Sequence, residues 1–201
     1  MKSTFRDLRA DEIDCRIAMV KANGLSLLLY KDARCDMNIL DETVGPYNWQ
    51  RTHSRDNANC TVSLWDDEKK QWISKEDTGT ESNTEAEKGL ASDSFKRACF
   101  NWGIGRELYT APFIWVDASL CNIDKNKCYD KFKVSDIKIE GKKIIYLQII
   151  NEKTGNVVFE TGKKIKGDTA KASTPVKPRQ TIEGVNSTIA DALNGLPFDI
   201  M

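Results

Sequence analysis

Cations and hydroxyls recur at helical spacing in the middle of the chain. Lys88, Ser92 and Lys96 are spaced so that they would share one ridge of a helix, with Arg97 one step around it. Ammonium, guanidinium and hydroxyl groups are the side-chain groups that contact phosphate oxygens. The pattern would suit a phosphate-binding surface, although composition alone favours the second interpretation that follows. The competing interpretation is an ordinary solvated helix face, on which Asp93 pairs with Arg97.

A second row of cations lies on a candidate strand. Arg51, His53 and Arg55 alternate with other residues, so on a strand all three would point to one face, together with Trp49. Such a face would suit a single nucleic-acid strand, whose backbone is anionic and whose bases can stack. Arg51 and Arg55 would equally fit an exposed sheet edge, so the row alone does not decide between the two.

Motifs for an energy-driven or covalent mechanism are missing from the sequence. There is no GxxxxGK[ST] loop to cradle phosphates. The sequence Gly103-Ile104-Gly105 follows a predicted helix, which is the wrong place for a dinucleotide site. With a single histidine and no nucleophile elbow, acyl-transfer chemistry has no support. We therefore expect a protein that is not an enzyme, with no catalytic residue and no use of ATP.

One enzymatic alternative remains. Asp130 or Asp136, together with Glu140-Gly141-Lys142, loosely resembles the D…ExK pattern of metal-dependent nucleases. In that pattern two carboxylates hold Mg²⁺ and the lysine positions water. The motif is short and falls where a hairpin turn is expected, and turns collect these residue types.

The cysteines do not form a metal-binding pattern. Six are scattered through the chain without a CxxC pair, and His53 is the single histidine. A zinc site needs four closely spaced ligands, and only Cys121 and Cys128 lie near each other in the sequence. We expect free thiols that serve as small buried hydrophobic groups, with no metal and no cofactor.

The elements that must position these residues follow from apolar periodicity and turn signals. We predict a hairpin at 15–30, a helix at 31–44, a three-stranded meander at 49–55, 60–65 and 71–76, a helix at 84–102, a loop at 109–121, and strands at 132–139, 143–151 and 157–160. This order predicts an α+β fold in which an antiparallel meander packs on a long helix. The hairpin and first helix precede this core, and a small β extension follows it.

Both predicted helices carry one apolar stripe. The stripes consist of Ala33, Met37, Leu40 and Val44 in the first helix and Ala91, Phe95, Ala98 and Trp102 in the second. Thr84 and Glu87 form a capping box at the start of the second helix. Phe100 does not share the second stripe fully, so it is a candidate to pack on a neighbouring subunit or to support a base.

Charge is balanced over the whole chain but not along it. Net charge is zero, which argues mildly against a nucleic-acid binder. Residues 163–179 carry six cations and only Asp168 as an acid, whereas residues 180–201 carry acids and no cations. We expect a flexible tail, basic and then acidic. The sequence has no apolar run long enough to span a membrane and no signal peptide, so we expect a cytoplasmic protein.

Several blocks resemble the Rad52/Sak-like family of single-strand annealing proteins. Residues 44–49 read VGPYNW, which resembles the family signature VGPxNW after the first helix. Residues 81–98 and 101–109 are similar to the most distinctive block of the family and to its continuation. Residues 30–34 occupy its short YxxAR position. The resemblance covers about 12–116.

The resemblance implies a β-β-β-α core that assembles into a ring around which single-stranded DNA lies in a basic groove. It implies that the meander with its hairpin forms one wall and the long helix the other. Lys96 and Arg97 match the Lys-Arg pair that contacts DNA in the family, and Lys88 matches a helix lysine. Arg34 lies one residue from the position at which eukaryotic members of the family carry a groove arginine. Phe100 stands where eukaryotic members carry another arginine.

We accordingly expect an ATP-independent recombination and repair protein of a bacterium or phage that binds and anneals single-stranded DNA. Arg51 and Arg55 are added as DNA contacts from strand geometry alone. We assign residues 1–162 to the annealing domain, with a β extension at 130–160, and 163–201 to the tail. The tail is a candidate to dock a single-strand binding protein or an exonuclease. A Mg²⁺-dependent nuclease and a DNA-end protector are the alternatives.

Overall fold

The computed structural model of the chain describes residues 4–80 and 86–162, which belong to one compact unit. Two expectations fall outside these residues: the capping box at the start of the second helix and the basic-then-acidic tail at 163–201. The domain boundary expected after residue 162 also depends on residues outside the described ranges. No helix in the described ranges has the length and apolar character needed to cross a membrane.

The described residues form two α-helices and eleven strands. The helices are α1 (Ala33–Val44) and α2 (Ala86–Trp102). The strands are β1 (Asp14–Lys21), β2 (Gly24–Tyr30), β3 (Trp49–Ser54), β4 (Asn59–Asp66), β5 (Gln71–Thr78), β6 (Ile114–Asp117), β7 (Ile123–Asp124), β8 (Lys127–Cys128), β9 (Phe132–Glu140), β10 (Lys143–Asn151) and β11 (Val157–Gly162). The predicted α+β class, both helices and the antiparallel meander are confirmed.

A six-stranded antiparallel sheet joins the two ends of the described chain. Its strand order is β11-β10-β9-β1-β2-β6, and the edge strands β11 and β6 lie close to each other. The strand pairing between β1 and β9 is made at a single pair, Asp14 and Lys133. The predicted C-terminal β extension is confirmed, and its strands continue the sheet of the N-terminal hairpin.

The stretch 109–121 was predicted as a loop, and this prediction is wrong. It contains the short strand β6, which pairs antiparallel with β2, between two turns of 3-10 helix at Arg106–Thr110 and Ala118–Leu120. Gly24 explains how closely β6 approaches. A Cβ there would lie 2.4 Å from the carbonyl oxygen of Val116, so only glycine fits at this point of the pairing.

Helix α1 has a capping residue at each end and one buried face. The Asp32 side chain accepts a hydrogen bond from the backbone N–H of Arg34, and Gly45 ends the helix with a φ of 87°. The fully buried side chains of α1 are Ile39, Leu40 and Asp36. The predicted apolar stripe is therefore offset, because Met37 and Val44 are only half-buried at the edge of the core.

The meander and α2 form a second layer. The strands β3, β4 and β5 pair antiparallel in that order, and α2 packs on β4 and β5. Val62, Phe95 and Ala98 are fully buried at this contact. The apolar stripe predicted for α2 therefore faces the meander, although Ala91 and Trp102 are only half-buried.

Candidate nucleic-acid interface

One side of α2 is fixed to the meander by polar and aromatic contacts. Trp102 donates its indole N–H to the carbonyl of Val62 at 3.0 Å. Lys75 lies over the Trp102 ring at 4.4 Å and donates to the carbonyl of Asn101. Trp49 stacks on Phe95 with ring centroids 6.1 Å apart. These contacts fix the rotation of the helix, and so decide which side chains face away from the meander.

The opposite side of α2 borders a groove of about 850 Å³. From α2 the groove is lined by Gly89, Ser92, Asp93, Lys96, Arg97 and Phe100. Ser92 and Lys96 are neighbours on the predicted polar ridge, and both face the groove. Lys88, one turn before Ser92, is exposed. The helix periodicity therefore predicted the orientation of the ridge correctly.

The other wall of the groove is the N-terminal hairpin. Its lining residues are Arg16 from β1 and Leu28, Leu29 and Tyr30 from β2, and the 3-10 turn after α2 adds Leu108 and Tyr109. Leu28 and Tyr30 are 46% and 40% exposed, which leaves apolar and aromatic surface open beside the cations. This wall offers surfaces on which bases can pack.

The expected arrangement of the walls needs correction. The meander and hairpin were expected to form one wall together, but no described lining residue comes from β3, β4 or β5. The meander lies behind α2, because the apolar stripe of the helix is buried against it. Thr80, just after β5, reaches the groove, and its backbone N–H donates to Asp93 at 2.9 Å. Asp93 therefore serves this loop, and Arg97 pairs with Asp77 at 3.2 Å instead.

A buried ion pair borders the groove. Lys31 is 6% exposed and Asp36 is fully buried, and the ammonium group of Lys31 donates to both carboxylate oxygens of Asp36. Burial raises the pKa of Asp36 to about 6, against the opposing charges of Lys31 and Lys96. The loss of hydration is therefore larger than the attraction of the two cations for this carboxylate.

Gly105 makes room for the Lys31 side chain. Its φ is 73°, and a Cβ there would lie 2.3 Å from Cε of Lys31. We expect Gly105→Ala to lower the free energy of unfolding by about 1–2 kcal/mol for the left-handed backbone and about 1–3 kcal/mol more for overpacking. Urea denaturation measures the sum.

Gly155→Ala is the matched control for this substitution. Gly155 has nearly the same φ, 72°, but no atom lies within 4 Å of its added Cβ. It should therefore report the backbone strain alone. Equal losses of stability in the two variants would contradict a role for Gly105 in accommodating Lys31.

The remaining predicted DNA contacts lie outside the groove. Arg51 extends its guanidinium over the Phe95 ring at 4.5 Å, on the side of β3 that faces α2. Arg55 does not continue this row, because β3 ends at Ser54 and Arg55 lies in the following turn with a φ of 51°. Arg34 is exposed at the start of α1 and pairs with Asp32 at 2.7 Å.

His53 is a weak candidate for a phosphate contact at neutral pH. Burial, followed by the nearby charge of Arg51, lowers its pKa below the usual range for histidine. Its Nδ1 atom lies 3.4 Å from the hydroxyl of Ser94 on α2. The imidazole therefore belongs to the contact between β3 and α2, and the expected row of three cations is reduced to one arginine on this face of the strand.

Two of the nuclease-like residues, Asp130 and Lys142, are engaged in structural contacts. Lys142 donates to the backbone carbonyls of Phe5 and Arg6 at 3.1 Å and pairs with Asp7 at 2.9 Å. Asp130 accepts hydrogen bonds from the Asn122 backbone and the Asn151 side chain. Within residues 4–80 and 86–162, no three His, Cys, Asp or Glu side chains cluster to hold a metal ion.

The cysteines behave as hydrophobic groups. All six are free thiols, and Cys35, Cys60 and Cys99 are buried in the core. Burial raises the pKa of Cys35 to about 12 and of Cys60 to about 11, so these thiols stay protonated at neutral pH. The prediction of small buried hydrophobic groups is confirmed for these three, and Cys15, Cys121 and Cys128 are half-buried.

Sequence reasoning missed four groove residues, Arg16, Lys31, Tyr30 and Tyr109. Arg16 pairs with Leu28 across the hairpin, so both point to the same exposed face. The pattern on β1 and β2 predicted a hairpin but gave no sign of which face turns towards α2. Tyr109 was placed in a loop, and only the 3-10 turn brings its ring against Phe100.

One segment of the chain is similar to a known protein family. Residues 30–127 match the model of the Rad52/22 family double-strand break repair protein. Curated proteins and solved structures gave no match. The matched segment contains α1, the meander, α2 and Tyr109, and so supplies one complete wall of the groove. Residues 30–127 of this chain are therefore similar to the Rad52/22 family of double-strand break repair proteins.

Proposed function

We propose that the protein binds single-stranded DNA in the groove between α2 and the β1–β2 hairpin and anneals complementary strands without ATP. The observation that carries the proposal is the composition of this groove, in which Lys96, Arg97 and Arg16 lie beside exposed Tyr30 and Tyr109. Cations that follow a backbone, combined with aromatic rings on which bases stack, are the usual means of binding single strands irrespective of sequence.

The charges of the groove favour an anion. The charge of Lys96 favours the ionised forms of the nearby carboxyl groups of Asp32 and Asp36. Asp36 is already paired with Lys31, so it does not need Lys96 as its partner. Asp93, the acidic residue of the described lining, accepts hydrogen bonds from Thr80. Each phosphate neutralised there would release counterions, which makes binding salt-dependent and tolerant of sequence.

The remaining candidate contacts extend the proposal beyond the groove. Lys88 is exposed one turn before Ser92 on α2, where it would continue the ridge towards a neighbouring nucleotide. Arg34, Arg51 and Arg55 would contact DNA only if the strand leaves the groove across α1 or the meander. We give Lys96 and Arg97 priority over them.

Assembly into a ring completes the proposed mechanism. A ring repeats the groove, so weak sites act together through a high effective concentration. Complementary strands held extended then pair through their own stacking and hydrogen bonding, which requires no fuel. We expect the mass in solution to be a multiple of that of the chain, and a mass that stays monomeric at all concentrations would contradict the ring.

The direct test is annealing of complementary labelled oligonucleotides in the absence of ATP and Mg²⁺. We expect the rate of pairing to rise with protein concentration above the spontaneous rate. Binding without faster pairing would indicate a DNA-end protector instead. Shortening of labelled strands in Mg²⁺ that disappears in Glu140→Ala would indicate a nuclease.

A further inference from the structure

Phe100 and Tyr109 form an aromatic pair at the edge of the groove. Their ring centroids are 4.5 Å apart and their planes are tilted by 52°. Phe100 lies on α2 three residues after Arg97, and Tyr109 lies in the 3-10 turn Arg106–Thr110. Tyr109 is 71% exposed, so most of its ring surface is open to solvent beside the groove cations.

Arg106 holds this pair in place. Its guanidinium donates to the carbonyls of Phe100 and Asn101, both at 2.9 Å, and lies 5.7 Å from the centroid of the Phe100 ring. Two of its donor groups thus satisfy carbonyls at the end of α2. Arg106 therefore contributes rigidity to the aromatic pair, and a ring held rigid loses little entropy when a flat group packs on it.

We propose that Phe100 and Tyr109 are a stacking platform for a nucleobase of the bound strand. This inference rests on the proposed function and names one base contact within it. The groove lining beside the platform is cationic, through Lys96 and Arg97, which suits an occupant with an anionic backbone and flat bases. Tyr30, 40% exposed, offers a second aromatic surface on the hairpin wall.

The platform changes how affinity is divided between phosphates and bases. Phe100 lies three residues after Arg97 on α2 and lines the same groove, so the helix presents a ring there in place of a third cation. An arginine there would add a salt-dependent phosphate contact, whereas a ring adds a base contact that depends little on salt. We therefore expect binding that retains a larger base-dependent share at high salt.

The test compares oligothymidine with an abasic oligonucleotide of equal length, which keeps the phosphates and lacks the bases. Tyr109→Ala should weaken binding of oligothymidine by roughly 5- to 150-fold, the range for one stacked base, and leave abasic binding and the salt slope unchanged. Tyr109 is largely exposed, so this substitution should not disturb folding. Tyr129→Ala, which removes an 83% exposed tyrosine that does not line the groove, is the matched control.

Phe100→Arg tests the same inference in the opposite direction. It should raise the salt slope by about 0.7, the value for one added phosphate contact on a single strand, and reduce the preference for oligothymidine over the abasic strand. Because Phe100 is half-buried, its variant is compared with the wild type by urea denaturation before binding is interpreted.

The outcomes separate the inference from the proposed function. Wild-type protein that binds neither oligonucleotide at low salt contradicts the proposed function. Wild-type protein that binds both, with Tyr109→Ala retaining the full preference for oligothymidine or losing affinity for both strands equally, overturns the platform alone. A loss in Tyr109→Ala that Tyr129→Ala reproduces would also overturn it.

Discussion

Lys96→Ala combined with Arg97→Ala is expected to bind single-stranded DNA about 25-fold more weakly than the wild type at about 0.1 M salt. This figure takes the affinities of the two proteins, extrapolated to about 1 M salt, as equal. The figure follows from a salt slope that falls by about 0.7 for each lost phosphate contact on a single strand, or about 1.4 for the pair. Both side chains line the groove, so both charges are removed from the proposed path of the backbone.

The two single variants should differ in what else they disturb. Arg97 is exposed and pairs with Asp77 on β5 at 3.2 Å, so it must leave or share this partner when it contacts a phosphate. Exposed ion pairs contribute little, which makes the exchange inexpensive. Lys96 is half-buried against the groove and should act directly. We expect each single substitution to lower the slope by about 0.7.

Lys69→Ala combined with Lys70→Ala is the matched control. These two residues are likewise adjacent and cationic, and both are exposed, but they lie in the turn between β4 and β5 and do not line the groove. The control removes the same net charge and should leave the salt slope unchanged. Equal effects of the two double variants would assign the affinity to overall charge, and an unchanged slope in the first would make Lys96 and Arg97 structural.

The parts of the fold predicted from the sequence are those that depend on local signals. Helix α2 follows from apolar residues at helical spacing, and the hairpin follows from two apolar strands around Asn23-Gly24. The predicted meander depends on alternation and charged turns. In each case the residues that determine the element lie within it, so the tertiary contacts support the local preference.

The missed strand β6 depends on contacts distant in the sequence. Four residues are too few for a periodic pattern, and the strand exists because Ile114 and Val116 are buried where β6 pairs with β2. The join between β1 and β9 has the same origin, because it rests on the pairing of Asp14 with Lys133. Such pairings are decided by packing of the whole sheet, which no single segment encodes.

In the candidate site, too, the residues fixed by local geometry could be predicted, and those that depend on distant contacts could not. Helix geometry places Lys96 and Arg97 off the apolar stripe, and the resemblance to the family then made them candidate DNA contacts. Arg16 was missed because the hairpin had two possible exposed faces, and a bulge between Ile17 and Met19 shifts the alternation along β1. Arg55 was wrongly assigned to the strand because alternation continues in the sequence beyond the point where the turn begins.

Asp36→Ala is expected to cost about 3–5 kcal/mol in the free energy of unfolding, the range for breaking a buried ion pair. The substitution leaves the Lys31 ammonium, which is 6% exposed, without its carboxylate partner. Urea denaturation at neutral pH measures the loss. Asp67→Ala, which breaks the exposed pair with Lys70 at 3.7 Å and a hydrogen bond from the Trp65 indole at 3.0 Å, should cost at most about 2 kcal/mol as the control.

Replacing both partners should have the opposite outcome. Lys31→Met combined with Asp36→Leu removes two buried charges together and is expected to be neutral or to stabilise the protein by about 1–4 kcal/mol. The pKa of Asp36 supports this, because burial raises it to about 6 despite the contact with Lys31. A double variant as unstable as Asp36→Ala would show that the pair itself stabilises the fold.

The same pKa fixes the sign of a pH effect. The folded state holds the Asp36 proton more tightly than the unfolded chain, whose carboxyl has an ordinary pKa of about 4. The corresponding stability is complete below that ordinary value and is lost as the pH rises through about 6. Unfolding free energies of the wild type should therefore decline over this window relative to those of the double variant, and parallel curves would contradict the raised pKa.

The reason to retain a costly pair must then lie in position rather than in stability. Lys31 follows β2 directly and borders the groove, where Gly105 leaves space for its side chain. Its contact with Asp36 ties the end of the hairpin wall to α1, which also packs against α2. If the double apolar variant is stable but binds single strands more weakly, the ion pair serves to hold the two walls of the groove at the distance needed for binding. Unchanged binding would contradict that role.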